Sequence, residues 1–126
     1  FTPRNLLPMT HLDIGKTGEN LAVSYLEEKG YRIIRQNFRA GKGEIDLIAW
    51  SPEDCLVFVE VKTRSLDGYG GPEEAVDRKK QDMIARTAGS FMAQIGHEGE
   101  IRFDIISVLL ARGELKSIRH AEDAFF

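Results

Sequence analysis

GEIDLIAWSPEDCLVFVEVKTR, residues 43–64, reads as two strands, EIDLIAW and CLVFVEVK, joined by the turn SPED. Strand side chains repeat with period two, so Glu44, Asp46 and Ile48 fall on one face and Ile45, Leu47 and Ala49 on the other. On the second strand Leu56, Phe58, Glu60 and Lys62 share a face, with Val57, Val59 and Val61 opposite. Three acids and a lysine thus land on a face that is otherwise apolar. Charges among valines and phenylalanine are costly unless they are paired or metal-bound, so the placement asks for a chemical reason. Asp46 and Glu60 each stand seven residues from the turn centre near position 53, and even pairing sets them opposite each other.

Upstream, YRIIRQNFRAG (31–41) supplies a further strand, linked through Gly41, Lys42 and Gly43 into an antiparallel meander. CLVFVEVK is the most apolar of the three and is expected at the centre of the sheet. Before it, Asp13–Lys29 carries a helical stripe of Ile14, Gly18, Leu21, Ala22, Tyr25 and Leu26, with Asp13 as N-cap and Gly30 closing the helix. Gly15 and Gly18 suit a close approach of the helix backbone to its neighbour. Glu19 lies beside the stripe, facing either the sheet or water as a first-turn acid favoured by the helix dipole. Downstream, the glycine-rich SLDGYGGPEEAV reads as a loop, and a second helix is expected from Pro72 to about Gln94. IRFDIISVLLAR is a fourth strand, Gly113–Glu114 a turn and LKSIRH a short fifth strand. A helix between the third and fourth strands permits these two to be parallel neighbours through a right-handed crossover. The expectation is an α/β domain, order α-β-β-β-α-β-β, at residues 13–120, between a leader (1–12) and a tail (121–126).

With 126 residues, 42% hydrophobic and 29% charged, the chain suits one domain with its own core. Its single cysteine, Cys55, fits a reducing, cytoplasmic setting, and its longest apolar runs fall far short of a membrane span. A net charge of −3 does not itself suggest nucleic acid. The basic residues are nonetheless clustered, at Arg32, Arg35, Arg39 and Lys42, at Lys62 and Arg64, and at Arg78, Lys79, Lys80 and Arg86; that pattern suits either a nucleic-acid surface or a solvated face. His11, His97 and His120 are dispersed, and no zinc set is present. Asp104 reads as a partner for a loop amide or for the neighbours of Arg102. Two adjacent carboxylates favour Mg²⁺ or Mn²⁺, and Lys62 on the Glu60 face could hold a water or a phosphate oxygen. Alone, the Glu60-Val61-Lys62 triplet would read as a solvent-facing ion pair. Its place on a central strand, opposite Asp46, tips the reading towards chemistry.

Asp46 followed by Glu60-Val61-Lys62 is similar to the PD-(D/E)XK motif of restriction-endonuclease-like nucleases, with Ile45 in place of the proline. GKTGENLAVSYLEEKGYRIIRQNFR, GEIDLIA and LVFVEVKTR more closely resemble the YraN-like family of small bacterial proteins, themselves similar to archaeal Holliday-junction resolvases. The resemblance runs from about Gly15 to Ser117. It implies a restriction-endonuclease-like fold, a central mixed five-stranded sheet with flanking helices, and an active site where the second and third strands diverge. Asp46 and Glu60 would match the metal-binding carboxylates, the Val61 carbonyl a further ligand, and Lys62 the catalytic lysine. Glu19 would match the glutamate that the first helix contributes, and Glu44 the one preceding the central aspartate, with a structural or water-mediated metal role. Thr63 would support the site, and Arg39, Lys42, Arg64 and Lys80 are candidate phosphate contacts. Gln81 falls where relatives place a polar helix residue. Asn37 either ties the first strand to the site or serves as an ordinary turn amide.

The activity implied is Mg²⁺- or Mn²⁺-dependent hydrolysis of DNA, branched or otherwise structured. Two other roles stand beside it: a nucleic-acid-binding module with little turnover, and a protein-interaction role in DNA processing. A homodimer is suggested only through resolvase-like relatives, which act on two-stranded junctions.

Overall fold

The computed structural model describes residues 10–66 and 76–126. Its elements are α1 (His11–Glu28), β1 (Arg32–Ala40), β2 (Gly43–Trp50), β3 (Leu56–Ser65), α2 (Arg78–Ile95), β4 (Ile101–Ala111) and β5 (Glu114–Ala121). The element order is the expected one, α-β-β-β-α-β-β. The five strands form one sheet in the order β1-β2-β3-β4-β5. All neighbours are antiparallel except β3 and β4, which run parallel from Leu56↔Ile101 to Ser65↔Leu110. That ladder puts β3 at the centre, where its run of valines is covered on both sides.

The two helices cover opposite faces. Ile14, Ala22 and Leu26 of α1 pack with Leu47, Ala49, Val57, Val59, Ile106 and Val108. Across the sheet, Ile84, Ala88 and Phe91 of α2 pack with Phe38, Ile45, Ile48, Leu56, Phe58 and Phe103. Ile33 and Ile34 join opposite clusters, so β1 is covered on both sides there. Phe125 docks into the α2 cluster, and the Ala124 N–H donates to the Phe103 carbonyl, so the last residues pack against the sheet.

Helix starts differ from the pattern-based reading because their caps lie outside the apolar stripe. Thr10, not Asp13, is the N-cap of α1; its hydroxyl accepts from the Asp13 N–H at 3.1 Å and the Asp13 carboxylate accepts from the Thr10 N–H, a capping box. Asp77 caps α2, accepting from the Lys80 N–H at 2.8 Å, so that helix starts at Arg78. The expected start at Pro72 lies outside the described residues.

Gly18 is buried against β3, where a Cβ would overlap the Thr63 side chain, whereas Gly15 faces open space. Only Gly18 therefore sets the approach of α1 to the sheet. Gly18→Ala should destabilise the chain by ~1–2 kcal/mol: overpacking costs about 1–3 kcal/mol and exceeds the gain of up to ~1 kcal/mol in helix propensity. Urea denaturation checks this, and Thr63→Ala in the same chain should recover part of the loss. An unchanged or higher stability in Gly18→Ala would mean that α1 is not seated on Thr63.

A polar cluster fastens the β4–β5 hairpin to α1. Asp104 is fully buried and accepts from Arg102 Nε and Nη2, each at 2.8 Å, and from the Asp123 N–H at 3.0 Å; its Oδ2 also lies 2.8 Å from His120 Nε2. Arg102 continues to the Tyr31 hydroxyl at 2.6 Å, and His120 Nδ1 lies 3.3 Å from the Tyr25 hydroxyl on α1. His120, one of three histidines that look unrelated in the sequence, is thus part of the packed interior, with its side chain only 3% exposed.

Candidate active site

The β2–β3 ladder ends at Leu47↔Val59. One step further the same register sets Asp46 opposite Glu60, as the turn-centred count predicts. The turn itself is regular: Ser51 Oγ accepts from the Cys55 N–H at 3.0 Å, and Asp54 takes a left-handed conformation at φ 65°. Beyond Leu47 the strands part, and the Asp46 carboxylate fills the opening by accepting the Val61 N–H at 2.8 Å. The side chain thereby replaces a partner that the ladder no longer provides.

Strict alternation along β2 fails at this point. Leu47 and Ala49 face α1 while Ile48 faces α2, as alternation requires, but Ile45 also joins the α2 cluster. The strand turns over at Asp46, where it leaves β3, and the expectation that Ile45 shares a face with Leu47 and Ala49 is corrected.

Burial raises the Asp46 pKa to about 9, reinforced by its hydrogen bond and charge interaction with Glu60; the Val61 N–H opposes the rise and the charge of Glu19 adds to it. Asp46 therefore keeps its proton at neutral pH when no cation is present. Glu60 is 8% exposed, and its Oε2 accepts no hydrogen bond. Lys80 Nζ of α2 stands 3.1 Å from that oxygen, an ion-pair contact outside hydrogen-bond geometry. Lys80 is thus a carboxylate partner here.

Glu19 follows Gly18 and comes in from α1. Its Oε1 accepts from Asn37 Nδ2 at 2.8 Å. Asn37 lies between the pairs Gln36↔Leu47 and Phe38↔Ile45, hence level with Asp46, and takes φ 52° in the middle of β1. Asparagine tolerates that left-handed conformation better than other side-chain-bearing residues, which gives it a structural reason to be there. Of its two sequence readings, the tie to the site is the one observed. The only sequence signal is a turn-forming residue inside an otherwise strand-like run.

Lys62 is half-buried two residues after Glu60, and among the described residues it makes no ion pair. The remaining candidates are placed elsewhere or engaged. Arg39 and Glu44 are cross-strand partners and bond each other at 2.8 Å. Gln81 donates to the Val76 carbonyl at 2.9 Å, securing the approach to α2. Lys42 is exposed and lines a separate cleft of about 270 Å³ with Met83, Arg86, Thr87 and Ser90. Arg64 is exposed on the strand beyond Lys62. Among the described residues no three acidic, histidine or cysteine side chains gather as a metal cluster.

The donor set suits a hard divalent cation. Two carboxylates on opposite strands, one with a buried oxygen that accepts no hydrogen bond, could take Mg²⁺ or Mn²⁺ in place of the Asp46 proton.

Residues 18–108, which hold every one of these side chains, match the profile of the group described as "Uncharacterised protein family UPF0102". This chain belongs to the UPF0102 family. It is the YraN-like family that the sequence pattern resembles. A UPF0102 protein of Alkaliphilus oremlandii is 49% identical over 115 residues, covering 89% of this chain and 97% of its own. Another, from Flavobacterium psychrophilum, is 44% identical over 116 residues, 92% of this chain and 96% of its own. One from Trichlorobacter lovleyi is 42% identical over 113 residues, 89% of each. Among the described residues of this UPF0102 chain, no helix is long and apolar enough to cross a membrane.

Proposed function

We propose that this UPF0102 chain is a divalent-metal-dependent phosphodiesterase acting on DNA. The observation that carries the reading is the Asp46–Glu60 pair at the fork of β2 and β3, Asp46 half-buried and Glu60 buried, with Lys62 on the same strand as Glu60. Two carboxylates set this close are costly in a fold that needs only packing, and a site that binds a cation gives them a use. Asp46 and Glu60 would hold the metal, with the Val61 carbonyl as a further donor. When bound, the metal supplies a water of lowered pKa and polarises the phosphate. Lys62 orients that water or neutralises a phosphoryl oxygen as charge develops. Glu19, fixed by Asn37, limits the opening from the α1 side and adds negative charge beside Asp46. The result would be hydrolysis of a phosphodiester P–O bond.

The test is cleavage of a panel of duplex, flap, single-stranded and four-way DNA with Mg²⁺ or Mn²⁺. Lys62→Ala should lower the rate on the order of 10²-fold, the scale of losing one charge-stabilising donor. Full activity in that variant would sink the role given to Lys62. A second reading, a DNA-binding module with little turnover, draws support from the Lys80–Glu60 contact, which sets an ammonium beside the metal-side oxygen. Binding without metal, no cleavage of any panel member and indifference to neutralising Asp46 would favour it.

A further inference from the structure

Among the described residues α2 leaves part of its sheet face uncovered, and register organises the side chains there into rows. Ser107 pairs with Lys62 on one side and Arg119 on the other, giving the row Lys62–Ser107–Arg119. The next row outward, by the same ladders, is Arg64–Leu109–Ser117. Glu60–Ile105–Ala121 lies one row inward, at the candidate metal site. These six outer residues line an open cleft of about 180 Å³ in which the described residues supply three cations and no carboxylate. Arg64 and Arg119 are exposed. The cleft therefore begins at the candidate catalytic lysine and runs away from the carboxylates.

Spacing fits a linear polyanion. Rows on one strand face are ~7 Å apart and alternate strands ~10 Å apart. Lys62 and Arg64 are thus separated by about the interval between successive phosphates of one strand, while Arg119 closes the far side. A cleft whose described lining is cationic, leading out of a two-carboxylate site, divides the labour: the acids suit a cation, and the bases suit the phosphates flanking the one attacked.

We infer that this cleft seats the DNA strand leaving the scissile position, with Arg119 and Arg64 as phosphate contacts; the inference rests on the nuclease reading for its direction. Arg119 lies outside the residues matched by the family profile, and its place follows from register alone.

The test is binding, without metal, of a fluorescent single-stranded oligonucleotide and of a duplex of equal length, over a range of salt. Each phosphate contact contributes ~0.9 (duplex) or ~0.7 (single strand) to the slope of log K against log salt, so Arg64→Glu/Arg119→Glu should lower that slope by roughly 1.4–1.8 and weaken binding at least ~10-fold at low salt. Lys42→Glu/Arg86→Glu, on the other cleft, should have the smaller effect. Far-ultraviolet circular dichroism and the melting temperature establish that both double variants are folded; if the glutamate pair does not fold, Arg64→Gln/Arg119→Gln takes its place. Equal affinity and slope in the parent and the Arg64/Arg119 variants would overturn the inference, as would a larger effect from the control pair or no binding by the parent. Cleavage plays no part in this readout. Loss of binding in a chain that never cleaves would uphold the cleft and refute only the nuclease reading.

Discussion

Asp46→Asn should reduce metal-dependent DNA cleavage on the order of 10³-fold while leaving the metal-free chain at least as stable as its parent. Both outcomes come from the same carboxylate. Its pKa rises to about 9 on folding, so the folded chain keeps a proton there that the unfolded chain releases above pH ~4. Its contribution therefore makes stability fall as pH rises from ~4 to ~9 and leaves it level beyond. Asparagine is near-isosteric, can still accept the Val61 N–H, and stays neutral beside Glu60 at every pH. The variant should lose that slope.

Metal reverses the balance. Mg²⁺ or Mn²⁺ must displace the Asp46 proton, so apparent affinity should increase with pH up to about 9. Bound at a hundred times its dissociation constant, the ion would stabilise the parent by ~2.7 kcal/mol and the variant by little. Melting curves with and without Mg²⁺ read this without a substrate. A parent whose melting temperature ignores both ions across that pH range, or an Asp46→Asn chain that cleaves at the parent's rate, would refute the site.

The second large effect is on stability. Asp104→Ala should cost ~3–5 kcal/mol, because removing this fully buried carboxylate breaks a network of four bonds and leaves donors in the interior without an acceptor. Arg102 would keep Tyr31 at 2.6 Å and Glu122 at 3.0 Å, but His120 would lose its carboxylate and the Asp123 N–H its acceptor. Burial tends to raise the Asp104 pKa, yet the hydrogen bonds from His120 and Arg102 outweigh it and hold the carboxyl below its ordinary value. Its contribution is therefore complete above pH ~4 and fades as pH falls below that. Guanidinium denaturation at neutral pH and at pH 3 measures both parts. A loss under ~1 kcal/mol at neutral pH would show that the cluster is dispensable.

The order of elements, the parallel β3–β4 pair and the Asp46–Glu60 register were legible because each rests on local pattern: period-two alternation, a symmetric turn, a crossover helix. Other features left no local trace. The turnover of β2 at Asp46 depends on where β3 departs, which alternation within one strand does not encode. His120 and Phe125 are held by partners far away in sequence, Asp104 and Tyr25 for one and Phe103 for the other. Caps at Thr10 and Asp77 sit outside the apolar stripes that mark a helix. Glu19 could be placed at the sheet only through a family resemblance, since its spacing serves an exposed first-turn acid equally well; Gly18 supplies the physical reason by bringing α1 against Thr63. Glu44 shows the converse. It is directly opposite Arg39 across the β1–β2 turn, and a cross-strand count alone would have paired them.

β1 borders the sheet, with β2 as its sole neighbour among the described residues. A margin of this kind offers unpaired amides and carbonyls to any other extended chain, and regular, flat margins invite aggregation. This one is irregular twice over: its register shifts between Ile33 and Arg35, and Asn37 turns the backbone left-handed. The residue that holds Glu19 in place therefore also spoils the template, and the conformation that serves the site helps keep molecules of this protein from adding to one another strand by strand.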